Sequence, residues 1–143
     1  MFRMIKVEDL RIGDLVRYGQ QVYTIQAVNA NGIVHFAELD LPVECSLLEP
    51  IQITTEILEK NGWLRKEYAC EVFYYIGLNI FADIFLAYDD KNECFSVGLF
   101  LLRRGDLDIL CFPLDIKYIH ELQHILYLFK EGPEIKKMKP LQL

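Results

Sequence analysis

Residues that tolerate a left-handed backbone recur along the chain, and short runs of β-branched and aromatic residues lie between them. Gly13-Asp14, Gly19-Gln20, Asn29-Ala30-Asn31-Gly32, Asp89-Asp90-Lys91-Asn92 and Arg104-Gly105-Asp106 are the turn signals. Glycine has no Cβ to clash at positive φ, and the short polar side chains of Asn and Asp bond their own backbone there, so these clusters reverse the chain within a few residues. Runs joined by such tight turns pair antiparallel, because a parallel connection needs a dozen or more residues. The chain is thereby constrained to be β-rich and meandering.

Residues 1–53 predict a small β-barrel-like subdomain. Residues 10–18 pass through the Gly13-Asp14 turn into a strand, and 22–28 follows with Tyr23, Ile25 and Ala27 on one face. The Asn31-Gly32 turn then leads into 33–37. Residues 54–62 predict a linking helix: Thr54 or Thr55 caps it, Glu56 sits in the first turn facing the positive helix end, and Asn61-Gly62 stops it. Residues 63–143 predict an antiparallel sheet with a packed C-terminal helix. In the window 72–88, Glu71, Tyr75, Asn79 and Asp83 fall at helical spacing, but Gly77 and the load of β-formers favour a hairpin. Asp115 is placed to cap a helix over 116–130, with Ile119, Leu122, Ile125, Leu126 and Phe129 on one face and Gly132-Pro133 as its stop. The fold class is α+β.

Composition narrows the function classes. Of 143 residues, 52% are hydrophobic, with nine Phe, eight Tyr and one Trp, which excludes a disordered chain. The net charge of -6 removes the general attraction to phosphate on which nucleic-acid binding rests, and only the C-terminal helix with its tail is net positive. The amino terminus lacks the apolar stretch of a signal peptide. The window 72–88 is shorter than the roughly 20 residues of a spanning helix, and it carries Asn79 and Asp83. Cys45, Cys70, Cys94 and Cys111 have no paired spacing, so they read as buried free thiols in a reducing, cytoplasmic setting.

The sharpest chemical motif is His120-Glu121-Leu122-Gln123-His124, a match to H-E-x-x-H on a predicted helix. Histidines at i and i+4 project from one side and can share a zinc ion, with the intervening Glu as base for a metal-bound water. A third ligand is not supplied at a standard spacing; only Glu131 and Glu134 follow nearby. On a helical wheel both histidines lie away from the apolar face, so the residues read as solvated, surface or interface histidines. Other constellations are weaker. Asp83, Asp89, Asp90 and Glu93 lack the alternation of a calcium loop, the only serines, Ser46 and Ser96, lack a nucleophile elbow, and no glycine-rich phosphate cradle occurs. Arg103-Arg104 and Lys136, Lys137 and Lys139 could meet phosphate, and Trp63, Tyr74 and Tyr75 could stack bases, but solvated turn charges and core aromatics are the plainer expectations.

Three segments in order carry a resemblance. Residues 9–16 (Asp-Leu-Arg-Ile-Gly-Asp-Leu-Val), residues 49–63 from Glu49 to Trp63, and residues 116–124 from Ile116 to His124 resemble a family of short, uncharacterised Bacteroidetes proteins often found in prophage or mobile-element settings. In that family the last segment reads I-K-Y-V-H-Q-L-Q-N, with Gln at the place of Glu121 and Asn at that of His124. The resemblance therefore implies that the motif is not a catalytic zinc site. This chain departs from the family after the helix, where Lys130-Glu131-Gly132-Pro133 replaces a T-G-E-E-L-like ending.

The expectation is a non-enzymatic cytoplasmic binding or adaptor protein of phage or mobile-element origin, whose surplus apolar surface meets a protein partner or another copy of itself. The alternative is a zinc-dependent hydrolase with His120 and His124 as ligands and Glu121 as base. A weaker alternative is nucleic-acid contact through the basic tail. No cofactor other than that zinc, no membrane and no small-molecule substrate is indicated.

Overall fold

The structure, a computed structural model, describes residues 5–79, 82–129 and 142–143. Its elements are β1 (Leu15–Tyr18), β2 (Gln21–Val28), β3 (Ile33–Phe36), β4 (Val43–Glu44), α1 (Thr55–Lys60), β5 (Leu64–Tyr68), β6 (Glu71–Asn79), β7 (Ala82–Asp89), β8 (Cys94–Arg103), β9 (Asp106–Ile116) and α2 (Ile119–Leu128). They form an α+β fold with a curled sheet in the order β1-β2-β3-β4 and a second sheet in the order β5-β6-β7-β8-β9. The strand pairings are antiparallel, as the tight turns require. Two compact units result: Met1–Gln52 with Tyr118–Gln123, and Ile53–Lys117 with His124–Leu143.

The first unit is a half-barrel. Gly19 and Gly32, at φ +65° and +84°, make the β1–β2 and β2–β3 reversals. A register shift in β2 between Ile25 and Ala27 bends that strand, the usual effect of an extra residue in a ladder. Across the open side of β1, the Arg17 N–H donates to the Glu49 carbonyl (2.9 Å) and the Glu49 N–H donates back (2.8 Å). The concave face buries Ile5, Leu10, Val16, Ile25, Val34, Phe36, Val43, Cys45 and Leu48. At about 1.5–3 kcal/mol for each fully buried large side chain, this cluster is the main favourable contribution to the unit. The Cys45 thiol donates to the Ile5 carbonyl at 3.2 Å. Burial first, then the charges of Asp9 and Glu8, push its pKa up, so it stays a packed thiol rather than a nucleophile.

The start of β1 is fixed by a compact polar turn. The Arg11 N–H donates to the buried Asp14 carboxylate at 2.8 Å, and Gly13 supplies the φ of +96° that closes the turn. Gln123 of α2 clasps it from both sides, accepting the Leu15 N–H (2.8 Å) and donating to the Gly13 carbonyl (3.0 Å).

In the second unit, Thr54 is the cap of α1: its hydroxyl accepts the Ile57 N–H at 3.2 Å, and Gly62 at φ +84° ends the turn beyond Asn61. The window 72–88 is a hairpin, β6 against β7, with Phe73 facing Ala87 and Ile76 facing Ile84. Ile84 and Leu86 point to one face and Phe85 to the other, and all three are buried. On the Phe85 side, Phe73, Phe85 and Phe100 form a cluster with ring centroids 4.4–5.8 Å apart. Gly98 faces Phe85 across the ladder, and a Cβ there would overlap the Phe85 ring and crowd the Leu110 carbonyl. Trp63 and Tyr74 are buried, in keeping with their reading as core aromatics.

Three expectations are corrected. The C-terminal helix does not begin at Ile116 behind an Asp115 cap. Asp115 and Ile116 instead extend β9 against Ser96 and Phe95, Tyr118 bridges to Gln52, and α2 starts at Ile119. The β8 ladder at Asp115 and Ile116 and the Gln52 bridge at Tyr118 hold this stretch extended, which outweighs a capping preference of about 1 kcal/mol. Second, only Cys45 and Cys94 are buried thiols; Cys70 and Cys111 are exposed, the first in a hairpin turn and the second on the outermost strand. Third, His120 is not solvated: it is 5% exposed, because the first turn of α2 is packed on more than its apolar stripe. Residues 130–134 and the basic residues Lys136, Lys137 and Lys139, with the Gly132-Pro133 stop, lie outside the described residues.

Candidate functional site

The motif on α2 is occupied with structural duties. Tyr118 is the residue before the helix, and its N–H donates to the Glu121 carboxylate at 3.0 Å, the backward half of a capping box. The imidazole of His120 lies nearly parallel to the Tyr118 ring, with centroids 5.9 Å apart and an interplanar angle of 7°. Ile119 and Leu122, on either side in sequence, are fully buried. Gln123 clasps the turn before β1, as described. His124, half-buried, belongs with the second unit, whereas His120 and Glu121 belong with the first. Among the described residues no group of three or more His, Cys, Asp or Glu side chains is arranged to hold a metal ion.

The other acidic candidates separate. Asp89 accepts the Lys91 N–H (3.0 Å) and the Asn92 side-chain amide (2.8 Å), a local turn that holds its carboxyl below the ordinary aspartate value, chiefly through Asn92. Asp83 sits on β7 opposite Gly77 and Phe100, away from that turn. Among the described residues no helix is long and apolar enough to cross a membrane.

A different feature is unusual for a surface. Among the described residues, β9 borders the second sheet and pairs only with β8. Residues 106–111 are all exposed, although side chains alternate between the two faces of a strand. Leu107 (58% exposed), Ile109 (54%), Leu110 (46%) and Leu114 (46%) present apolar surface on both sides of it, and Leu102 of β8 (49%) adds to the patch. Register places Leu107, Ile109 and Cys111 opposite Leu102, Phe100 and Gly98, so they continue the face of the phenylalanine cluster; Asp108 and Leu110 lie on the other face. Between Ser96 and Gly98 the register shifts, and β9 bulges around Pro113. A proline there has no N–H to offer an incoming strand, so the open pairing edge is confined to the stretch before it.

Read locally, this run predicts a strand and not a binding surface. The signal was present: residues 107–112 are apolar apart from Asp108, and a strand that ends a meander has a neighbour on one side only. Of the residues singled out for chemistry, the structure brings Cys111 and the Arg103-Arg104 turn to this border. No protein-family model, no curated protein and no solved structure matches this chain.

Proposed function

We propose that this is a non-enzymatic binding protein that docks a protein partner along the β9 border. The observation that carries the reading is the exposure of Leu107, Ile109 and Leu110 on both faces of a long outermost strand. Such an edge offers unpaired backbone donors and acceptors flanked by apolar side chains, the arrangement by which sheets accept a further strand. Monomeric proteins blunt such edges with charge, and this protein does so on its other border but not on this one. The capping bond of Glu121 and the burial of His120 support a structural role for α2 over a hydrolytic one. A cytoplasmic location and a mobile-element origin are proposed on the thiol content and the sequence resemblance alone.

Site-specific photocrosslinking tests the reading. The photoreactive residue p-benzoylphenylalanine is introduced at Leu107 on β9 and, separately, at Lys66 on β5, in the full chain expressed in cells. Discrete adducts from position 107 and none from 66 are expected. No adduct at 107, or the same adducts at both positions, overturns it.

A further inference from the structure

We infer that the occupant of this border is a second copy of the chain, its β9 running antiparallel to the first so that two five-stranded sheets become one. The inference rests on the docking reading above and adds its partner and register.

Symmetry restricts the pairing. Two identical edges that pair antiparallel are related by a two-fold axis perpendicular to the sheet, which is the isologous, self-closing form of contact. That axis keeps each face of one sheet continuous with the same face of the other. Directly opposed residues then share a face, so the pairing is centred on a residue and not between two.

Chemistry selects the residue. Centring on Asp108 sets two carboxylates face to face, and like charges directly opposite destabilise a ladder. Centring on Leu110 sets Leu107 against Pro113, which has no N–H to give. Centring on Ile109 avoids both. It puts Ile109 against Ile109 of the second copy, Leu107 against Cys111 and Asp108 against Leu110, with one apolar stripe running along the phenylalanine face of both sheets. Antiparallel order also brings the exposed Arg104 turn of each copy to the Asp115 end of the other, a pair of opposite charges repeated twice by the symmetry. The β5 border cannot serve equally, since Arg65, Lys66 and Glu67 fill its middle and Arg65 pairs with Glu67 at 2.7 Å.

Sedimentation velocity of the full chain over a range of concentrations tests this. A dimer is expected; Ile109→Lys, at a half-exposed position that leaves circular dichroism unchanged, weakens it about tenfold or more, and Lys66→Ile does not weaken it. In a Cys70→Ser background, Leu107→Cys forms an intermolecular disulfide with the native Cys111 under mild oxidation, whereas Cys111 alone does not. A monomer at every concentration, or a dimer indifferent to Ile109→Lys, overturns the inference. Absence of the Leu107→Cys crosslink in a dimer overturns the register. Monomeric protein that still gives a photoadduct from position 107 to a different protein sinks the second copy and leaves the docking reading standing. No adduct of any kind sinks both.

Discussion

The two borders of the second sheet are built by opposite rules. β5 reads Leu64-Arg65-Lys66-Glu67-Tyr68, with mixed charges in its middle and an ion pair between alternate residues. β9 reads apolar from Leu107 to Phe112 apart from Asp108, and runs to more than twice the length. Both are exposed along nearly their whole length, so burial does not distinguish them. What differs is whether a strand laid alongside meets charge that must be desolvated or apolar surface that gains from being covered. An exposed edge by itself is therefore uninformative about function, and its composition decides.

The hairpins that carry these borders differ too. The β8–β9 turn uses Arg104 and Gly105 at φ 49° and 83°, with glycine at one left-handed position. The β5–β6 turn uses Ala69 and Cys70 at φ 51° and 67°, where neither residue is suited to that backbone. The apolar border thus sits on the turn with the easier backbone.

The contrast can be broken or sharpened in four ways. The largest effect is expected from Gly98→Ala, which drives a methyl into Phe85 and the Leu110 carbonyl and so loosens β9 from β8. A loss of about 1–3 kcal/mol in denaturant unfolding should come with faster amide exchange on β8 and β9 and little change on β5. Replacing Ala69-Cys70 by Asn-Gly relieves the left-handed strain on the charged border and should raise stability by about 1 kcal/mol, seen as a higher denaturant midpoint with unchanged slope. Lys66→Ile should alter stability by no more than about 0.5 kcal/mol while giving β5 the apolar character of β9. Sedimentation should then show species larger than those of the parent chain. The smallest effect belongs to the β7–β8 turn, on neither border. The folded pKa of Asp89 is depressed, so its contribution is present above the ordinary aspartate value and is lost as pH falls through the folded value. The stability difference between the parent and Asp89→Ala should accordingly vanish in acid.

Much of this architecture was legible in the sequence because it is local. The positive-φ turns at Gly19, Gly32 and Gly105 set the strand boundaries, and Thr54 with Asn61-Gly62 set α1 within a residue or so. What was not legible is long-range. Asp115 looks like a cap until Ser96 claims it for the sheet, and His120 looks solvated until the first turn of α2 is seen buried beside Tyr118. The exposure of Cys111 follows from β9 having no strand beyond it among the described residues, a property of the sheet and not of the residue. The H-E-x-x-H match shows the same limit: Glu121 and Gln123 are accounted for by bonds to Tyr118 and to Gly13 and Leu15, and no spacing rule within five residues could have found the second pair.

The clasp of Gln123 on the turn before β1 has a consequence for the order of synthesis. A ribosome delivers Gly13 and Leu15 early, but the side chain that holds them arrives about 110 residues later. At roughly 5–20 residues per second, the half-barrel waits about 5–20 s with its polar turn unclasped while the whole five-stranded meander is made in between. The part of the protein born first thus stays unfinished until after the five-stranded meander has been made.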